Sequence, residues 1–249
     1  MKYKKYIVLV LIFGVIGFIF FNKSTLKNDE LTNELYSYLG TNELDICGGL
    51  ISYSKKEIKA SDIKEEHKVC LAYYMLRESA IEETISGDDK TCLLNGEFAF
   101  ASKDKSCTLD KININDINSK YQEMYNESIK DKPIFSYDTS HVCYYSNDYY
   151  YCGLKEEYTY AYGLDDKTYR QIKTVKTKKD SLVIYDYFLK VKNNECYMDF
   201  LDIKQNESCT KALKKEVSPY FLKKYGSVYK HTFKNVNGSY YYEKSELVK

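Results

Sequence analysis

The chain has 249 residues, with 37 Lys and Arg against 36 Asp and Glu, for a formal net charge of +1. A balance so close to zero gives no bulk attraction for nucleic acid, and no nucleic-acid partner is expected. The 28 tyrosines come with abundant Lys, Asn and Ile, the set that AT-rich codons favour, so they say little about a sugar-binding surface.

Residues 1–5 form a positive n-region through Lys2, Lys4 and Lys5, and an apolar run follows from Tyr6 to Phe21. The run is shorter than the roughly 20 residues that usually cross a bilayer. Tyr3 and Tyr6 can sit at one interface, and Lys5 and Lys23 can snorkel, which lengthens the usable span. Bulky Phe20 and Phe21 precede Asn22-Lys23-Ser24, where a signal peptidase needs small side chains. Residues 6–22 therefore read as a transmembrane signal anchor, with a cleaved signal as the alternative. Lysines ahead of the run place the N-terminus in the cytoplasm and the remaining chain outside the cell membrane. Some 228 residues then remain, enough for one large domain or two small ones.

Asp29 to Leu39 predicts a first helix with Leu31, Leu35 and Leu39 on one face. Cys47-Gly48-Gly49 reads as a turn before an extended segment, Leu50 to Tyr53, and lacks the spacing of a phosphate loop. Asp62-Ile-Lys-Glu65 is a capping-box pattern, predicting a second helix from Ser61 or Asp62 past Ala80 towards Ile85. A third helix is expected from Asn115 or Asp116, with Ile117, Tyr121, Met124 and Ser128 aligned, ending before Pro133. Residues 23–132 thus form a helix-rich part of the ectodomain.

Residues 133–249 read as β-rich. In Cys143-Tyr-Tyr-Ser-Asn147-Asp148-Tyr-Tyr-Tyr-Cys152, a two-residue turn at Asn147-Asp148 sets Cys143 opposite Cys152. Counted outward from the turn this is a non-hydrogen-bonded pair, where Cα atoms approach to about 4.5 Å, close enough for a disulfide. Further strands are expected at Tyr158 to Tyr162, Tyr169 to Thr177 and Leu182 to Val191. After a turn at Asn193-Asn194 comes another from Cys196 through Phe200. Ser218, Pro219 and Gly226 punctuate one late helix, and Asn237-Gly238 joins two last strands, Val228 to Lys234 and Ser239 to Glu243. The fold class is α+β, with antiparallel strands.

All eight cysteines lie beyond the apolar run, and an even count in an exported chain predicts a disulfide framework. Beyond Cys143 with Cys152, Cys196 and Cys209 flank a polar stretch they would close. Cys47, Cys70, Cys92 and Cys107 complete the candidates, their connectivity open among many pairings. His67 and Cys70 stand three apart on a helix and His141 near Cys143, but the disulfide reading outweighs zinc for both. No HExxH, CxxC or GxSxG occurs, so no catalytic, cofactor-binding or metal residues are assigned and no cofactor is expected.

Charge divides unevenly. Residues 23–166 carry 16 Lys and Arg against 27 Asp and Glu, whereas residues 167–249 carry 18 against 9. The two parts are expected to attract each other; the alternative is an anionic partner such as lipid headgroups or wall polymers. The block SPYFLKKYGSVYKHTFKNVNGSYYYEKSEL, Ser218 to Leu247, resembles the ends of uncharacterised membrane-anchored exported proteins of low-GC Gram-positive bacteria. That resemblance implies location and no chemistry. The expected function is a non-catalytic binding or interaction ectodomain, tethered through residues 6–22 and meeting a protein or envelope-polymer partner. The alternatives are an exported hydrolase or transferase using carboxylates such as Glu65, Glu66, Glu82 and Glu83, and a structural subunit of an envelope complex.

Overall fold

A computed structural model describes residues 29–40, 47, 50–54, 56–156, 166–203, 205–213 and 216–248. The n-region, the anchor at 6–22 and the expected strand Tyr158 to Tyr162 lie outside the described residues. Among those described, no helix is long and apolar enough to cross a membrane.

The architecture is α+β. The largest sheet is antiparallel and runs β1 (Glu57–Lys59), β13 (Ser239–Leu247), β12 (Ser227–Val236), β10 (Ser181–Lys192), with β9 (Lys167–Thr177) along the far side of β10. The short β11 (Glu195–Tyr197) pairs with the last residues of β10. A second antiparallel sheet follows the order β2 (Ile81–Ser86), β5 (Ser106–Asn113), β8 (Tyr149–Leu154), β7 (His141–Ser146), β6 (Phe135–Ser136). Strands β3 (Thr91–Leu94) and β4 (Phe98–Ala101) form a separate hairpin. The second sheet draws strands from both sides of Pro133, and β1 pairs with β13, so the two halves of the sequence share their sheets.

Three hairpins use two-residue turns with positive φ at both central residues: Asn147-Asp148 (46° and 64°), Asn193-Asn194 (51° and 61°) and Asn237-Gly238 (54° and 92°). Asn, Asp and Gly tolerate that backbone, and its twist matches the flanking strands. The first turn fixes the expected register, with Cys143 opposite Cys152 and their Cα atoms 4.1 Å apart. The other disulfides join Cys47 to Cys70, Cys92 to Cys107 and Cys196 to Cys209, with no free cysteine among the described residues.

The helices are α1 (29–37), α2 (Glu65–Leu76), α3 (Ile114–Tyr125), α4 (Glu207–Ala212) and α5 (Pro219–Tyr225). Several differ from expectation. Helix α2 starts three residues late, because the Asp62 carboxylate accepts from Lys59 N at 2.9 Å instead of capping the helix. It also ends at Leu76, and Ile81–Ser86 is strand β2. There Ile81, Thr84 and Ile85 supply β-branched side chains, and β5 supplies the pairing partner. Helix α3 is capped by Asn113 and closes on Asn126 in the left-handed region, which leaves Ser128 beyond its end. Leu50 to Tyr53 is not extended; Ile51–Tyr53 forms a 3-10 turn. Strand β11 stops at Tyr197, short of Phe200, and α4, absent from the sequence reading, begins on an Asn206 cap.

The main core gathers Leu35, Leu39, Tyr53, Cys70, Ile117, Tyr121, Met124, Ile184, Phe188, Tyr229 and Phe233. Thus α1 and α3 pack on one face of the large sheet, and α2 packs on α3 and on β6 of the second sheet. A second cluster joins the β3–β4 hairpin to the second sheet through Phe100, Cys92, Cys107 and Leu109. Gly153 is needed there, since a Cβ would meet Leu109 Cδ2 at 2.5 Å and Phe100 Cδ1 at 2.8 Å. On the opposite face of the large sheet, α4 and α5 cover Leu189 and Val191 through Cys209, Leu213 and Leu222.

Candidate functional site

Strand alternation places Leu182, Ile184, Asp186 and Phe188 on the inner face of β10, so a carboxylate sits within an apolar row. Asp186, His231 and Ser245 come from adjacent strands β10, β12 and β13, and all three are fully buried. His231 Nε2 lies 3.0 Å from Asp186 Oδ1, and Nδ1 lies 2.6 Å from Ser245 Oγ. A carboxylate only accepts, so Nε2 donates to Asp186, and Nδ1 shares the second hydrogen bond with the serine hydroxyl. The Tyr242 hydroxyl, 2.9 Å from Ser245 Oγ, extends the set.

The other carboxylate oxygen, Asp186 Oδ2, accepts from the Tyr36 hydroxyl at 2.6 Å and the Tyr53 hydroxyl at 2.5 Å. The Arg170 guanidinium stacks over the Tyr36 and Tyr53 rings at 4.7 and 5.7 Å and donates to Gly40 O at 3.1 Å. Burial pushes the Tyr36 and Tyr53 phenols well above their ordinary value, reinforced by the Asp186 charge. Burial also drives Tyr242 up to about 12. Serine, imidazole and carboxylate in hydrogen-bond contact is the arrangement of an activated nucleophile. Here, however, none of the three borders any of the four cavities described. The set instead ties α1 and the Ile51–Tyr53 turn to the centre of the large sheet, where an unpaired polar group is costly.

The sequence-predicted residues are dispersed. Cys70 is bound to Cys47 and His67 lies 3.7 Å from Glu66, while His141 Nδ1 contacts both Asp138 oxygens at 2.9 Å. Glu65 accepts from the Tyr121 hydroxyl at 2.7 Å and Lys130 N at 3.0 Å. Glu83 pairs with Lys111 at 2.5 Å and Glu82 is exposed, so these acids do not converge. No cluster of three or more His, Cys, Asp or Glu among the described residues is arranged to hold a metal ion.

The largest of the four cavities is a cleft of about 740 Å³ between α1, the end of α3 and the tip of the β12–β13 hairpin. Its walls carry Glu30 and Glu34 from α1, Glu123 and Glu127 from α3 and its exit, and Tyr38, Tyr240 and Tyr241. Glu30 and Glu34 are spaced i, i+4 on α1, a repulsive spacing on a helix. Glu123 also stands in the last turn of α3, where the helix dipole is negative. Lys120 pairs with Glu123, and Lys68 lies 3.4 Å from Glu127. Glu34 accepts from the Tyr38 hydroxyl at 2.6 Å and, like Glu30, has no cationic partner among the described residues. The cleft therefore favours a positively charged group flanked by aromatic and hydroxyl contacts.

No family model, curated protein or solved structure matches the chain.

Proposed function

We propose that the chain is a single-pass membrane-anchored ectodomain that binds a positively charged partner outside the cell, without catalysis of its own. The observation that carries this reading is the cleft, where Glu30 and Glu34 face Glu123 and Glu127 without enough lysines to neutralise them. Four disulfides support an oxidising compartment, which agrees with export behind the apolar run. Burial of the Asp186–His231–Ser245 set argues against its use as a hydrolytic centre, since no described cavity reaches it.

Hexalysine is a suitable probe for the detergent-solubilised protein. Saturable binding is expected, and Glu30→Gln with Glu34→Gln should weaken it about tenfold, equivalent to about 1.4 kcal/mol. Glu82→Gln, on the exposed part of β2, should leave it unchanged. Equal weakening by Glu82→Gln, or no saturation, would remove the cleft as the site.

A further inference from the structure

Few ion pairs among the described residues join the basic second half to the acidic first half. Among the described residues, the ion pairs that join the halves reach two carboxylates: Asp166, at 3.8 Å from Lys190 and 3.9 Å from Lys192, and Glu57, at 3.4 Å from Lys244. Lys230 pairs instead with Glu246 of its own half, at 2.7 Å. Lys176, Lys178, Lys179 and Lys234 stay exposed, with no ion pair among the described residues.

These four lysines collect at one end of the large sheet. Lys178 N bonds Ser181 O at 2.8 Å to close the β9–β10 hairpin, and Asn235 N bonds Asp180 O at 2.9 Å. Ser181 pairs with Lys234, which brings the end of β12 beside that hairpin tip. On the outer face Lys59, Lys244, Thr232, Val183 and Lys176 stand in one row across five strands, with Thr232 and Val183 buried between the lysines and Lys244 paired with Glu57 and Glu246. Lys176 lies over the Tyr185 ring at 5.3 Å and Lys173 over Tyr187 at 5.4 Å. Asp180 at the tip offsets one charge.

The start of α1 lies at the same end. Asp29, Thr32 and Asn33 share a cavity of about 430 Å³ with Ile172, Val175, Thr177 and Leu182, next to the β9–β10 turn. Only residues 23–28 separate Asp29 from the expected anchor, a reach of at most about 22 Å. They include Lys23 and Lys27.

We infer that the lysine-bearing end of the large sheet, Lys176, Lys178, Lys179 and Lys234, docks on anionic headgroups of the membrane that holds the chain. This rests on the anchored reading. Charge complementarity selects the occupant: a surface of lipid phosphates meets several lysines at once, and each contributes about fivefold to binding. Docking sets the β9–β10 tip and the end of β12 against the bilayer, with α4 and its Lys211 near the opposite end of β10.

The test uses the full chain with vesicles of phosphatidylcholine, with or without phosphatidylglycerol, scored by flotation and by acylation of each lysine. Flotation with neutral vesicles is expected, together with a several-fold drop in acylation of the four lysines on anionic vesicles only. That drop should vanish in about 1 M salt, where the screening length is about 3 Å. In the variant with Lys178→Glu, Lys179→Glu and Lys234→Glu the drop at the remaining Lys176 should also vanish, while flotation persists. Lys211 on α4 serves as the unprotected control. Flotation with equal acylation on both vesicles overturns the docking and leaves the anchor. Flotation and protection on anionic vesicles alone uphold the docking and overturn the anchor, and no flotation on either overturns both.

Discussion

Reduction of the four disulfides is expected to unfold the ectodomain at ambient temperature without added denaturant. The bonds close loops with sequence separations of 23, 15, 9 and 13. Chain-entropy reasoning assigns each about 2.5–3.5 kcal/mol, together about 12 kcal/mol, within the usual total stability of about 5–15 kcal/mol. The burden falls unevenly. Cys47–Cys70 secures the segment after α1 to α2, and Cys92–Cys107 fastens the β3–β4 hairpin to β5. Replacing Cys143 and Cys152 together by serine removes the smallest loop and should cost about 2–3 kcal/mol while the fold persists. Circular dichroism during reduction, beside thermal melts of that double variant, measures both. A reduced protein melting within a few degrees of the oxidised one would show that the core alone specifies the fold.

Alkaline unfolding is the second large effect expected. Burial holds the phenols of Tyr53, Tyr73, Tyr125, Tyr150 and Tyr229 well above their ordinary value, and Tyr242 at about 12. In the unfolded chain these groups release protons near pH 10, whereas the native state keeps them. Above that pH the unfolded state binds fewer protons, so stability is fully present below pH 10 and falls as pH rises. Each such phenol removes up to about 1.4 kcal/mol per pH unit until its native pKa is reached. Six acting together bring about 8 kcal/mol per unit, enough to unfold the chain between about pH 10 and 12. The phenolate absorbance of these six rings should therefore appear in one cooperative step that coincides with the loss of circular dichroism. Ionisation of the full tyrosine complement with the dichroism intact would mean that these rings reach solvent in the native state.

Both predictions rest on features that were unequally legible in the sequence. Short-range chemistry carried the hairpins: Asn147-Asp148, Asn193-Asn194 and Asn237-Gly238 specify their turns locally, and the first placed Cys143 opposite Cys152. Ser218, Pro219 and Gly226 likewise bound α5 as expected. Strand β2 was hidden because Ile81 and Ile85 sit four apart and extend the helical spacing of α2. Only pairing with β5 decides for the strand.

The buried network was harder to see, since Asp186, His231 and Ser245 lie on three strands far apart in sequence. One sign was available: Asp186 occupies the same face of β10 as Leu182, Ile184 and Phe188, where an acid needs partners. The cleft left no such sign. Its walls come from α1, the end of α3 and a hairpin near the C-terminus, so its four carboxylates converge only in the tertiary structure. Charge asymmetry was visible as a count, but the position of Lys176, Lys178, Lys179 and Lys234 beside the start of α1 follows from strand register.

The central proposal, an ectodomain tethered outside the cell, is tested most directly by adding protease to intact protoplasts expressing the full chain. The account predicts digestion of the portion beyond residue 28 without lysis, while a short fragment containing residues 6–22 stays in the membrane. Full protection until the protoplasts are lysed, or a mature form beginning near Lys23 recovered from the medium, would contradict it.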